Sequence, residues 1–295
     1  MDTFSGYHPL INFTYFTIVI GLSMFYMHPV FLALSLAGSV SYSIYLKGRK
    51  TVKVFLIGML PVCLLTMVMN PLFSHAGATM LFYMRNGNPV TLESIVYGLA
   101  SGLMLAGVIS WFSVFHEVMT SDKFMYLFGK VVPAISLLLS MTLRFVPRFT
   151  AQIKRVAESQ QCIGRNVNNG KLYERAAHGL KILSITTTWA LENSVETADS
   201  MKSRAYGLRG RTNFSIYRFD RRDGALLAFL LGTTGVLLTC MHLRKLKILY
   251  FPVFIMNETT TGAVSLYILY GILCMLPLIL NILEDIKWRS LRSEI

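Results

Sequence analysis

Arg204 closes a charged, helix-forming stretch, 196–207, in which Asp199, Met201, Ser203, Ala205 and Gly207 are its neighbours; Arg211 follows. A guanidinium is a planar fork with a permanent charge, able to grip a carboxylate through two parallel hydrogen bonds. Such a group at a helix end recognises a partner and makes or breaks no bond. Arg165, flanked by Gly164 and Asn166 and four residues after Gln161, ends an upstream segment in the same way. Anionic lipid headgroups or water would satisfy the same side chains, so residue type by itself leaves the ligand open.

Bond-making chemistry finds no comparable arrangement. The run from Gly164 to Lys171 has the outline of a phosphate-binding loop. It places five residues between its glycines where the motif has four, and Leu172 where a Ser or Thr would ligate magnesium. No strand-forming run precedes it, so ATP binding by this chain is not expected. The six histidines (His8, His28, His75, His116, His178, His242) lie far apart and read as interfacial or capping residues rather than metal ligands. Cys63, Cys162, Cys240 and Cys274 form no Cys-x-x-Cys pair, and three lie in apolar runs, which suits inert thiols. Asp199 has no second Asp at the spacing a two-metal site uses, which argues against a membrane-embedded lipid-modifying enzyme. Ion-coupled carriers hold charges inside their spans, or show broken spans and repeated halves. Neither pattern is present, which argues against a self-contained channel or secondary transporter. No catalytic residue, metal ligand or cofactor is expected.

The elements that must position the two arginines come from the rest of the chain. Over 295 residues the sequence is 54% hydrophobic, with a mean hydropathy of +0.52, an excess that points to a membrane protein. A helix needs about 20 apolar residues to cross the hydrocarbon core. Apolar runs at 10–27, 31–46, 54–69, 95–112, 225–241 and 264–282 approach or meet that length. The first lacks the basic flank and small-residue cleavage site of a secretory leader and is expected to persist as a span. His28-Pro29 marks a tight turn between the first two runs. The stretch 70–90, broken by Pro71, Gly77, Gly87 and Pro89, reads as an outward loop with a short interfacial piece. Gly98 and Gly102 form a G-x-x-x-G pair, which suits either close helix approach or ordinary small residues in a span.

Charge then orients the chain. The formal net charge is +13, and residues 144–222 carry 15 Lys/Arg against 6 Asp/Glu, a net of +9 in one block. Positive charge beside spans marks the cytoplasmic side, so the block is placed inside and nucleic-acid binding is not expected. Lys47, Arg49, Lys50 and Lys53 form a second inside loop. Two further spans, four in all, return the chain to the inside near residue 116. The apolar stretch 124–143 therefore cannot also cross without carrying the basic block outside, and is expected to lie along the inner leaflet. Within the block, one helix is expected over 144–168 and another from Lys171 to about Tyr206. In the second, Glu192, Glu196, Asp199 and Ser203 share one stripe. Gly207 and Gly210 are expected to end it, because glycine accepts a left-handed cap.

The stretch 198–207 and the following Gly210, Arg211 and Thr212 closely resemble the second coupling motif of the transmembrane T component of energy-coupling factor transporters. That family commonly has Ala-Arg-Gly where this chain has Ser203-Arg204-Ala205. The run 159–165 resembles the first coupling motif more loosely. Aligned on Gln161, Ile163 takes the arginine's place; aligned on the arginine, the tripeptide is Gly164-Arg165-Asn166. We take Arg165, since a docking tip is expected to need the charge. The apolar runs and the charge read as an all-α, polytopic helical membrane protein of about six spans, C-terminus inside, with 1–123 as N-terminal spans, 124–222 as a membrane-associated helix and cytoplasmic module, and 223–295 as C-terminal spans. The resemblance, which covers about 145–222, implies that the module consists of coupling helices and that the chain is a non-catalytic scaffold in a prokaryotic cell membrane. Its partners would be two ATP-binding cassette ATPase subunits and a membrane-embedded, substrate-binding S component for a vitamin or a transition-metal ion. Gln161, Asp199, Met201, Gly207 and Arg211 would support the docking tripeptides. The sixteen methionines suit adaptable packing against a changing partner.

Overall fold

The computed structural model describes residues 2–48, 50–83, 89–129, 132–165, 171–206, 217–243, 248, 250–254 and 261–293. These residues form an all-α protein with one small hairpin. The helices are α1 (Pro9–Phe25), α2 (Pro29–Lys47), α3 (Lys50–Phe73), α4 (Leu92–Val118), α5 (Ser121–Gly129), α6 (Pro133–Cys162), α7 (Leu172–Ser203), α8 (Arg221–Leu243) and α9 (Thr261–Ser293). The strands β1 (Met80–Tyr83) and β2 (Pro89–Thr91) pair antiparallel between α3 and α4. The chain divides into two compact units: 1–124 with 217–295, and 125–216.

In the first unit, α2, α4, α8 and the 262–292 part of α9 are long and apolar enough to cross a membrane, while α1 and the 57–73 part of α3 are shorter apolar helices. Proline opens both α1 and α2, where its missing N–H is no loss. The histidine before each proline is the cap: His8 Nδ1 accepts from Leu10 N and His28 Nδ1 from Val30 N, both at 3.3 Å. The α3 helix runs through Pro61 and Pro71 to Phe73, beyond the break that Asn70 and Pro71 suggest in the sequence. A hairpin, rather than an open loop, then leads into α4.

Gly98 and Gly102 face α3 across a seam that leaves no room for a side chain. A Cβ on Gly98 would stand 2.8 Å from the Thr66 carbonyl oxygen, and one on Gly102 would meet Thr66 Oγ1 and lie 2.9 Å from Cys63 Cα. The spacing is therefore a packing motif. Elsewhere the core is aromatic. Phe4, Tyr15, Phe16 and Trp111 meet edge to face, and Trp111 Nε1 donates to Ser35 Oγ at 2.9 Å.

One face of this unit gathers the helix ends richest in charge. Lys47, closing α2, pairs with Glu117 of α4 at 3.5 Å. Tyr45 donates to Asp285 near the end of α9. Asn281 Oδ1 accepts from Thr3 N at 2.8 Å, and its Nδ2 donates to Asp2 at 2.7 Å. The buried Lys123 donates to the Ser5 carbonyl, Ser5 Oγ and the Val118 carbonyl at 2.6, 2.8 and 2.8 Å. His8 N donates to Asp223 at the start of α8. The ends of α2, α4 and α9 and the beginnings of α1 and α8 thus share a face, as alternate crossings require. The chain leaves this unit after Lys123 and re-enters it before Asp223 on that face.

Candidate functional site

The second unit contains two long helices, and the helix boundaries differ from those expected from composition. The expected division at residue 143 is absent: α5 is short, and α6 is continuous from Pro133 to Cys162 through Pro147. Composition changes there from apolar to basic, but the helical period does not, and a proline removes only one backbone hydrogen bond. The helices pack through Phe149 and Trp189, whose rings meet edge to face at 5.5 Å. The Arg148 guanidinium lies 5.7 Å from the Trp189 ring centre, a cation–π distance. Val156, Ile182, Thr186 and Asn193 are buried. Ile135, Leu138, Val146, Leu183, Leu191 and Val195 remain exposed within the unit, apolar side chains of the kind that mark a membrane or partner surface when they are contiguous.

Each long helix ends in the same turn. At the end of α7 the Ala205 amide donates to the Lys202 carbonyl at 3.0 Å and the Tyr206 amide to the Met201 carbonyl at 3.1 Å. Ala205 is left-handed, with φ +60°. At the end of α6 the Gly164 amide donates to the Gln161 carbonyl at 3.0 Å and the Arg165 amide to the Gln160 carbonyl at 3.0 Å, with Gly164 at φ +82°. Both are the paired closure that follows a left-handed residue after the helix cap. The cap residues agree as well: Ile163 has φ −91° and ψ 9°, Arg204 φ −88° and ψ 21°.

The end of α7 differs from expectation. The left-handed residue ending α7 is Ala205, not a glycine; Gly207, Gly210 and Arg211 lie outside the described residues. At the first turn Gly164 takes the place of Ala205, so Ile163 occupies the position of Arg204 and Arg165 that of Tyr206. Charge favours the register Gly164-Arg165-Asn166, but the hydrogen bonds align on Gln161. Asn166 also lies outside the described residues. Ile163 is 68% exposed, and Arg165, Gln161, Ser203 and Arg204 are exposed too.

The two turns stand at opposite ends of α7, separated by roughly 48 Å of helix at 1.5 Å per residue. Arg204 and Met201 also line a cleft of about 890 Å³ between the two helices, together with Arg144, Arg148, Asn193 and Glu196. Asp199 points into solvent, where its 3.9 Å contact with Lys202 stabilises little.

No protein-family model matches the chain. Curated proteins do. The energy-coupling factor transporter transmembrane protein EcfT of Bacillus selenitireducens is 25% identical over 223 residues, 68% of this chain and 76% of that protein. EcfT 1 of Listeria monocytogenes is 27% identical over 205 residues, 63% of this chain and 75% of that protein. The chain is a homologue of EcfT. A third relative, EcfT of Lactobacillus helveticus, is 31% identical over 113 residues, but the match spans only 38% of this chain and 41% of that protein. The names of these EcfT relatives make them transmembrane proteins of a transporter, in keeping with the apolar helices of the first unit.

Proposed function

We propose that this EcfT homologue is the non-catalytic T component of an energy-coupling factor importer. It sits in a prokaryotic cell membrane with the 125–216 unit and the C-terminus in the cytoplasm. The turns that end α6 and α7 dock on two ATP-binding cassette ATPase subunits, and α6 and α7 carry the ATPase movement to an S component that binds a vitamin or a transition-metal ion. The observation that supports this best is the pair of matching left-handed turns, closed by the same hydrogen bonds and exposed at opposite ends of α7. Such tips suit two grooves set apart on an ATPase pair. The exposed apolar stripes of α6 and α7 suit a lipid-facing or S-component surface, and Arg204 suits a carboxylate in an ATPase groove.

Affinity purification of the tagged chain from native membranes, with mass spectrometry of what accompanies it, tests the proposal. ATP-binding cassette subunits and a small membrane protein are expected. Arg204→Glu is expected to abolish solute uptake while the protein remains inserted. Solute uptake or substrate turnover by the isolated chain, without any ATPase, would end the proposal.

A further inference from the structure

The two docking turns have one backbone and two chemistries. Ile163 and Arg204 share cap dihedrals within about 12°, and each is followed by a left-handed residue closed by the same pair of hydrogen bonds. Equal backbones project the cap side chain in the same direction from the helix end. Arg165 cannot stand in for Arg204 in this geometry. It lies beyond the left-handed residue, and its amide closes the turn where the Tyr206 amide does in the other.

A single exposed isoleucine is ordinary on a protein surface. Ile163 is distinguished by its position. It caps a helix, where a β-branched apolar residue contributes nothing to the turn. Its exposed neighbours Gln161, Cys162, Gly164 and Arg165 include no other aliphatic side chain. Among the described residues, nothing in the fold of this helix end calls for it. A groove built for an arginine would set a carboxylate against it, and that carboxylate would be buried without a partner.

Resting on the docking role proposed above, we infer that Ile163 is the contact residue of the first tip. The ATPase groove that receives it is lined with apolar side chains and lacks the carboxylate that faces Arg204. The two grooves differ in chemistry, so the pair of tips fixes a single orientation of the ATPase pair on this chain. Ile163 is then a specificity residue: it accepts one groove and rejects the other.

The test is co-purification of the ATPase subunits with full-length variants from membranes of the native host, each first shown to be monodisperse with an unchanged melting temperature. Arg204→Glu reports on docking itself. Ile163→Asp and Ile163→Arg are each expected to lower ATPase recovery by about tenfold or more, the factor that about 1.4 kcal/mol makes in an equilibrium constant. Ile163→Met is expected to stay close to the parent, and Arg165→Glu to lose less than Ile163→Asp. Full recovery with Ile163→Arg would mean that the groove is acidic and would overturn the inference. So would a loss with Arg165→Glu as large as that with Ile163→Asp. In either case a loss with Arg204→Glu leaves the docking role standing. Undiminished recovery in Arg204→Glu and all Ile163 variants would overturn both.

Discussion

Ala205 holds the left-handed position at the end of α7 that Gly164 holds at the end of α6. A residue with a Cβ in this conformation costs on the order of 1 kcal/mol, which glycine does not incur. Ala205→Gly is therefore expected to raise stability by up to about 1 kcal/mol, and Gly164→Ala to lower it by about as much. A Cβ on Gly164 would meet no neighbouring atom within 4 Å, so any loss there reports on backbone conformation alone. Thermal unfolding of the detergent-solubilised protein measures both.

The seam between α3 and α4 has no slack at Gly98 and Gly102. Gly102→Val is expected to cost about 1–3 kcal/mol through overpacking, because the obstructing atoms include the backbone of α3, which cannot rotate away. Gly232, where a Cβ would meet no atom within 4 Å, provides the comparison: Gly232→Ala is expected to leave the melting temperature unchanged or raise it, as alanine favours a helix interior.

Lys123 ties the N-terminal turn to the end of α4 through three hydrogen bonds. Lys123→Met is expected to destabilise by roughly 1–3 kcal/mol, since the buried Val118 carbonyl and the half-buried Ser5 carbonyl lose their donor. Burial pushes the Lys123 pKa below its ordinary value of 10.5, with the Asp2 charge opposing. The unfolded chain then holds this proton more tightly than the folded one. Between the lowered folded pKa and 10.5 the unfolded state binds more protons, so the contribution of this site to stability rises with pH. Subtracting the pH profile of Lys123→Met from that of the parent isolates the slope. A difference that falls with rising pH would contradict the buried placement.

Cys162 is exposed at the last residue of α6, while Cys274 is buried. In a variant retaining Cys162 alone, a membrane-impermeant maleimide is expected to label inverted vesicles and spare right-side-out ones. Labelling from the outer side would place the tips outside the cell and remove the docking role with them.

The residues by themselves determined the features that depend on near neighbours in the chain. Apolar runs give helices because a backbone in hydrocarbon must satisfy its own hydrogen bonds. His28-Pro29 ends one helix and starts another because proline favours the first helical turn. Most of the basic block between 144 and 222 falls within the 125–216 unit, and the resemblance of 198–207 pointed to the same EcfT proteins to which the chain is similar. Other features waited on contacts that residue type cannot specify. The G-x-x-x-G pair became a helix seam only when α3 supplied the facing backbone. Asn281 holds Thr3 across 278 residues of sequence. That Ile163 and Arg204 hold equivalent positions at the two helix ends depends on which amides reach the Gln160 and Met201 carbonyls, a matter of backbone geometry that residue type does not specify.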